Sequence, residues 1–226
     1  MLGTIVNAIA IVLGGALGLL FGKTISQKMN SILIQGLGLA TLLIGAKMAL
    51  VTNNPLVIIG SLIIGGVIGE GIDIEKRLEV FGSRLEEKFA GDGGGRFTKA
   101  FINTSLIYCI GAMGITGAIE SGIRGTHSIL MAKSLIDGST AIVFATSMGG
   151  GVLASAIPVF LYQGAITLAA SLLKDVLSQA IITEMSATGG LLIVGIGMNI
   201  LGIREIKVGN LLPGIFVAIP LTFLLI

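Results

Sequence analysis

The chain has 226 residues, 54% of them hydrophobic and only 12% charged, with a mean hydropathy of +1.01. Soluble domains carry roughly 25% charged residues, so this composition excludes one and implies a polytopic membrane protein. A formal charge of +2 is too small to recruit nucleic acid, and the single cysteine, Cys109, forms no internal disulfide.

No basic stretch or small-residue cleavage site precedes Lys23, so the first apolar run is expected to remain as a span. That run covers residues 4–21, with Asn7 as its one strongly polar residue. Residues 32–51 and 55–72 make the second and third spans, joined by the turn Asn53-Asn54-Pro55. Each is near the roughly 20 apolar residues that a spanning helix needs.

Residues 73–99 break the pattern with Lys76, Arg77, Arg84, Lys88, Arg96 and Lys99. Ile74, Leu78, Phe81, Leu85 and Phe89 recur there at intervals of three or four. The spacing predicts an amphipathic helix, lying in the interface or on the protein's own cytoplasmic face. Gly91–Gly95 would link it flexibly to a fourth span at 99–121.

The next segment, 126–148, is apolar yet carries Lys133 and Asp137 near its middle. A charge at bilayer depth costs roughly 2.5–3.5 kcal/mol on insertion scales, so it survives only when paired or facing protein or water. Asp137-Gly138-Ser139-Thr140 reads as a helix stop followed by an N-cap, and Gly149-Gly150-Gly151 as a second interruption. Discontinuous membrane helices of this kind build the substrate sites of many secondary transporters. Residues 152–173, with Pro158 and Gln163, form the following span. Residues 174–187 are polar enough to leave the bilayer, and two last spans occupy 188–203 and 209–226 around Arg204-Glu205-Ile206-Lys207.

The fold class expected is therefore an all-α polytopic membrane protein forming a single membrane domain. It comprises three spans in 1–72, a cytoplasmic helix and linker in 73–98, a broken-helix core in 99–187 and two final spans in 188–226. Eight crossings follow if 126–148 traverses the membrane, and seven if it re-enters. The loops after spans one and three hold eight of the fourteen basic residues, which makes that side cytoplasmic and both termini external. The eight-crossing arrangement fits this bias better.

Two internal echoes stand out. Leu13-Gly14-Gly15-Ala16-Leu17-Gly18 matches Ile64-Gly65-Gly66-Val67-Ile68-Gly69. Residues 38–48 match 189–198 and residues 60–65 match 209–214, and with eight crossings these pairs run in opposite directions. Inverted repeats are characteristic of alternating-access transporters. Glycine numbers 35, about twice the ordinary share of roughly 7%. Inside apolar segments it lets helices pack closely, within one chain or between copies, so a homo-oligomer, with a dimer favoured, is expected.

Lys133-Ser134-Leu135-Ile136-Asp137-Gly138, Tyr162-Gln163-Gly164 and the opening Gly3-Thr4-Ile5-Val6-Asn7 together resemble a bacterial membrane family, domain of unknown function 554. Gly111-Ala112-Met113-Gly114 and Asn210-Leu211-Leu212-Pro213 extend the resemblance over the whole chain. It implies integral cytoplasmic-membrane proteins and a transport role without a settled substrate.

The functional expectation is a secondary transporter or related permeation protein for a small solute or ion. Lys133 and Asp137, four apart, share a helical face. Asp137 would bind a cation or proton with Lys133 as its counter-charge. Gly138, Ser139 and Thr140 would open a half-helix toward an anionic group. Thr146, Ser147, Gln163, Asn7 and Asn103 would line the same cavity. A structural ion pair is the bland alternative for Lys133 and Asp137, and helix-to-helix bonding for the uncharged residues. A channel or a non-transporting scaffold remains the competing function. Catalysis is not expected: His127 is the only histidine and lies at a span end, Glu120 and Asp137 are the only candidate carboxylate pair, and no nucleotide, metal or cofactor motif appears. The expected partners are the lipid bilayer, a small solute or ion and a second copy of the chain.

Overall fold

The computed structural model describes residues 1–22, 26–89, 95–173 and 177–226, and among them every regular element is a helix. In chain order these are α1 (Leu2–Gly22), α2 (Gln27–Ala49), α3 (Pro55–Ile72), α4 (Ile74–Phe89), α5 (Arg96–Cys109) and α6 (Ala112–Arg124). They continue with α7 (Ser128–Met148), α8 (Gly151–Ala154), α9 (Ala156–Leu173), α10 (Gln179–Ile200), α11 (Val208–Leu211) and α12 (Pro213–Leu225). Seven stretches are long and apolar enough to cross a membrane: α1, α2, α3, α7, α8–α9, α10 and α11–α12. The pair α5–α6, bent by 60°, is the eighth candidate.

Several boundaries follow directly from local chemistry. Asn54 caps α3 by accepting from the Leu56 amide at 3.1 Å, with Pro55 as the first helical residue. The amphipathic helix expected in 73–99 is α4, and Glu86 ties it to α5. Its carboxylate accepts from the Thr98 hydroxyl at 2.6 Å and the Gly95 amide at 3.1 Å. The proposed link residues 91–94 and the basic Lys23 lie outside the described residues.

Two expectations about 126–187 are corrected. The stop at Asp137-Gly138-Ser139-Thr140 does not occur, because α7 runs unbroken through it. Ser139 and Thr140 turn their hydroxyls back onto the Leu135 and Ile136 carbonyls at 2.6 and 2.9 Å, a bond that keeps such residues inside a helix. Gly138 serves close packing against Ala10 of α1. The break lies instead between α5 and α6, at Ile110 and Gly111, where Gly111 takes φ +141°. The second expected interruption does occur: Gly149, at φ +92°, ends α7, and α8 is a single turn before α9.

The other correction concerns 174–187, read as a loop outside the bilayer. Helix α10 begins at Gln179 behind a Ser178 cap and carries Glu184 completely buried. Glu184 belongs in a helix because donors reach it there: the Thr52 hydroxyl and the Asn53 amide, each at 2.6 Å. Lys174 and Asp175 of that reading lie outside the described residues.

The chain divides into two compact units. The first comprises Met1–Ile34, Glu79–Cys109 and Met113–Lys174. Its centre is a seam in which α1 runs parallel to α7. A Cβ at Gly14 would strike the Gly138 carbonyl, one at Gly18 the Ile142 carbonyl, and one at Gly22 the Thr146 carbonyl. Rising numbers on both helices define the parallel direction. The α5–α6 pair runs the length of α7 in the opposite sense. Arg96, opening α5, donates to the Ser147 carbonyl at 2.7 Å, while Ser121, near the end of α6, meets His127 Nδ1 at 2.9 Å. Its two ends therefore lie at opposite ends of a membrane-length helix, which is the geometry of a crossing and supports eight. Re-entry of 126–148, the alternative weighed from sequence, is not what α7 does.

The second unit comprises Gln35–Leu78, Ile110–Ala112 and Asp175–Ile226. Here α2 packs antiparallel on α10, with Gly45 against Gly190 and Val194, and Leu42 against Gly197. Likewise α3 packs antiparallel on α11–α12, with Gly65 against Gly214 and Gly69 against Asn210. Glycines 14, 18, 65 and 69 thus share one packing function against partners of opposite direction. The short echo between α1 and α3 is a packing motif. Most helical glycines meet atoms of their own chain, whereas Gly36 and Gly71 meet nothing within 4 Å. Most of the glycines therefore have a packing role within the chain.

Candidate functional site

Asp137 stands near the middle of α7, nine residues from Ser128 and eleven from Met148. One turn earlier, Lys133 places its Nζ 2.5 Å from Asp137 Oδ2. Both side chains are more than nine-tenths buried, at 8% and 6% exposure. The pairing satisfies the requirement that a buried charge be compensated.

Two further helices of the same unit complete the cluster. Asn7 of α1 donates from Nδ2 to Asp137 Oδ2 at 3.0 Å and to Gln163 Oε1 of α9 at 3.3 Å. Asn7 and Gln163 are both fully buried. The order of these bonds is dictated by charge. A carboxylate only accepts, so Asn7 must turn its amide nitrogen toward Asp137. Gln163 must then offer its oxygen to Asn7, and its own Nε2 faces away. Among the described residues, Gln163 Nε2 and Asn7 Oδ1 have no hydrogen-bond partner, nor does the buried Thr4 hydroxyl one turn before Asn7. Three buried polar atoms without partners, around a mid-helix ion pair, are an arrangement that a purely structural pair does not need.

The bent helix pair faces the same cluster. Gly114, in the first turn of α6, lies against Lys133: a Cβ there would stand 3.6 Å from Lys133 Cε, 3.7 Å from the Cys109 carbonyl and 3.9 Å from the Tyr162 ring. Tyr108, Cys109 and Tyr162, none of them expected at the site from sequence, therefore lie beside the pair. The adjacency of Tyr162 to Gln163 and the i, i+3 spacing of Thr4 and Asn7 were the available signals.

The remaining expected residues lie elsewhere. Ser139 is exposed and Thr140 half-buried, each bonded to its own helix, so neither opens a half-helix toward the pair. Gly138 is part of the α1 seam. Thr146 bonds the Gly18 carbonyl at 3.0 Å, stitching α7 to α1. Ser147 is buried at the far end of α7 with its hydroxyl unpartnered. Asn103 of α5 is half-buried and makes no hydrogen bond among the described residues. A cavity of about 1000 Å³ does open at that far end, lined by Val12, Leu20, Arg96, Thr146, Gly150 and Ile157 among others. It is mostly apolar, and Asp137 is not in its lining.

With this geometry in hand, the family described as "Protein of unknown function (DUF554)" matches residues 2–223. The chain belongs to this family. It is 33% identical over 223 residues to "Uncharacterized membrane protein YdfK" of Bacillus subtilis (strain 168), covering 96% of this chain and 93% of that protein. It is also 30% identical over 226 residues to "Uncharacterized protein YqgA" of Escherichia coli (strain K12), covering 98% and 96%. No solved structure matches the chain. The resemblance seen in the sequence is thereby confirmed across its length. Membership of this family, together with its apolar helices, makes the chain a membrane protein.

Proposed function

We propose that the protein is a secondary transporter, or a related permeation protein, for a small solute or ion in the bacterial cytoplasmic membrane. The observation that carries this reading is the Lys133–Asp137 pair at the middle of α7, joined to Asn7 and Gln163 and bordered by unpartnered polar atoms. Ionisable residues at membrane depth are functional by default, because burying them is unfavourable without a return in activity. The neighbouring α5–α6 bend adds support, since broken helices line the sites of transporters. The long-range echo adds more. Gly65 and Gly214, equated by the repeat, also touch each other, as residues on a pseudo-twofold axis would.

In this reading the loops rich in lysine and arginine are cytoplasmic, both termini are external, and two copies of the chain associate. Asp137 takes up the coupling ion or proton, and Lys133 holds it in the unloaded state. Solute flux into proteoliposomes of the purified protein tests the proposal: saturable, gradient-driven uptake supports it. A channel dissipates gradients without saturating, and a scaffold carries no flux. Orientation is tested by labelling intact cells with a membrane-impermeant thiol reagent in a Cys109→Ser background. Gln179→Cys is expected to react and Glu87→Cys to stay protected; the opposite pattern rejects it.

A further inference from the structure

The partnerless hydrogen-bonding groups of the cluster divide unequally between donors and acceptors. Gln163 Nε2 has two hydrogens without an acceptor. Among the described residues, Lys133 uses one of three ammonium hydrogens, on Asp137. On the acceptor side the buried atom without a partner among the described residues is Asn7 Oδ1, while the unpartnered Thr4 and Tyr108 hydroxyls can donate or accept. In addition, the first turn of the 13-residue α6 lies against the lysine at Gly114, and the amides at a helix start favour negative charge.

We infer that the solute is a small monoanion carried together with one proton, the anion taking the place of the Asp137 carboxylate on Lys133. This rests on the transport reading above and specifies its substrate class. The exchange conserves charge at every stage. A proton from the medium binds Asp137, the ion pair with Lys133 opens, and the incoming anion closes a new pair with the freed ammonium. The cluster is neutral before and after, so neither state leaves an isolated charge in a low-dielectric surrounding. The hydrogen bonds balance as well. Protonated Asp137 keeps Oδ2 as the acceptor for Asn7 Nδ2, which goes on donating to Gln163 Oε1, and its new O–H becomes a further donor for the anion. Lys133 and Gln163 Nε2 remain as donors for the anion. A cation on Asp137 has the opposite consequence: it displaces Lys133, strands or deprotonates the ammonium, and leaves both donor groups facing positive charge. The near-complete burial of all four side chains limits the anion to a small one.

The titratable groups facing the pair are few. Tyr108 and Cys109 come from α5 and Tyr162 from α9, while the facing positions of α1, Thr4 and Asn7, carry none. Asp137 and Lys133 are the two charged members, so proton uptake reports on Asp137.

The test uses the purified full-length protein in lipid nanodiscs, with sodium salts of chloride, nitrate, formate and lactate as probes. Proton uptake is read from a pH indicator in weak buffer, and stability from thermal unfolding. The expected result is about one proton taken up per bound anion in the wild type, since one carboxyl is replaced by one anion. In Asp137→Asn the coupled proton is lost, yet the same anion still binds and raises the unfolding temperature, because Lys133 awaits a counter-charge. Lys133→Met weakens anion binding by at least about tenfold, the loss of a charge-assisted contact. Proton release on adding sodium or potassium, with no dependence on the anion, overturns the inference while leaving the transport reading standing. No stabilisation of Asp137→Asn by any of the four anions also overturns it. Absence of flux for every salt in proteoliposomes overturns the transport reading itself.

Discussion

Lys133–Asp137 and Lys207–Glu70 are the same chemical pair held at opposite exposures. The first is 8% and 6% exposed at the middle of a membrane-length helix. The second, at 2.9 Å, joins side chains that are 62% and 60% exposed. Glu70 holds the Lys207 ammonium above its ordinary 10.5, but water solvates both partners and salt screens them. Removing one half of the exposed pair leaves a solvated ion. Removing one half of the buried pair leaves an ion with nowhere to put its charge. Exposure, rather than distance, separates a pair that can drive a mechanism from one that decorates a surface.

The sharpest way to break this comparison is Asp137→Asn, which keeps the shape of the side chain and removes its charge. Stranding Lys133 is expected to lower stability by about 3–5 kcal/mol, measured by thermal unfolding in the absence of anions. Adding Lys133→Met should restore most of it by removing the orphan charge. If the pair is the coupling site, the stable double variant still transports nothing. Normal transport by that variant removes both residues from the site.

A packing change comes next. Gly18→Val in the α1–α7 seam forces side-chain atoms into the Ile142 carbonyl and Ala145, and overpacking of this kind costs about 1–3 kcal/mol. Unlike the ion-pair variants it should respond to no anion. A carboxylate that is buried without a lysine makes the third comparison. Glu184→Gln retains shape but loses the charge on its bonds to Thr52 and Asn53, for an expected loss of about 1–2 kcal/mol in the unfolding free energy.

Glu86 adds a pH dependence outside the membrane spans. The Thr98 hydroxyl, foremost among its donors, holds its carboxyl below the ordinary 4.5. Its contribution is therefore fully present above about pH 4.5 and is lost as pH falls through the lowered native value. Glu86→Gln should flatten that acid limb of a stability–pH curve, with a loss of about 1 kcal/mol at neutral pH, as for other helix caps. The smallest effect is expected from Lys207→Ala, whose unfolding temperature should match the wild type at physiological salt.

The unequal legibility of the two halves has a physical origin. Spans such as 55–72 were readable because apolar length and the Asn54-Pro55 cap act locally. Lys133 and Asp137 were readable because a charge in an apolar run is anomalous anywhere. The α7 break was misread because Gly138, Ser139 and Thr140 carry the same local preferences whether they end a helix or sit inside one. What decides is the partner. Gly138 is needed where α1 approaches, and the two hydroxyls have carbonyls four residues back. Glu184 was misplaced for a related reason: its polarity is visible in sequence, but the donors that satisfy it come from more than 130 residues away.

The sequence by itself determined that this is an all-helical membrane protein of one family, where most spans lie, and that Lys133 and Asp137 are charges within a span. Those are consequences of composition and of side-chain spacing along a single helix. Only the tertiary structure decided that α7 is continuous, that the helix break falls between α5 and α6, and that Asn7 and Gln163 join Asp137 while Ser139 and Thr140 do not. These outcomes depend on which helix faces which. A polar residue's role in a membrane follows from the partner that satisfies it, and the identity of that partner is a property of packing.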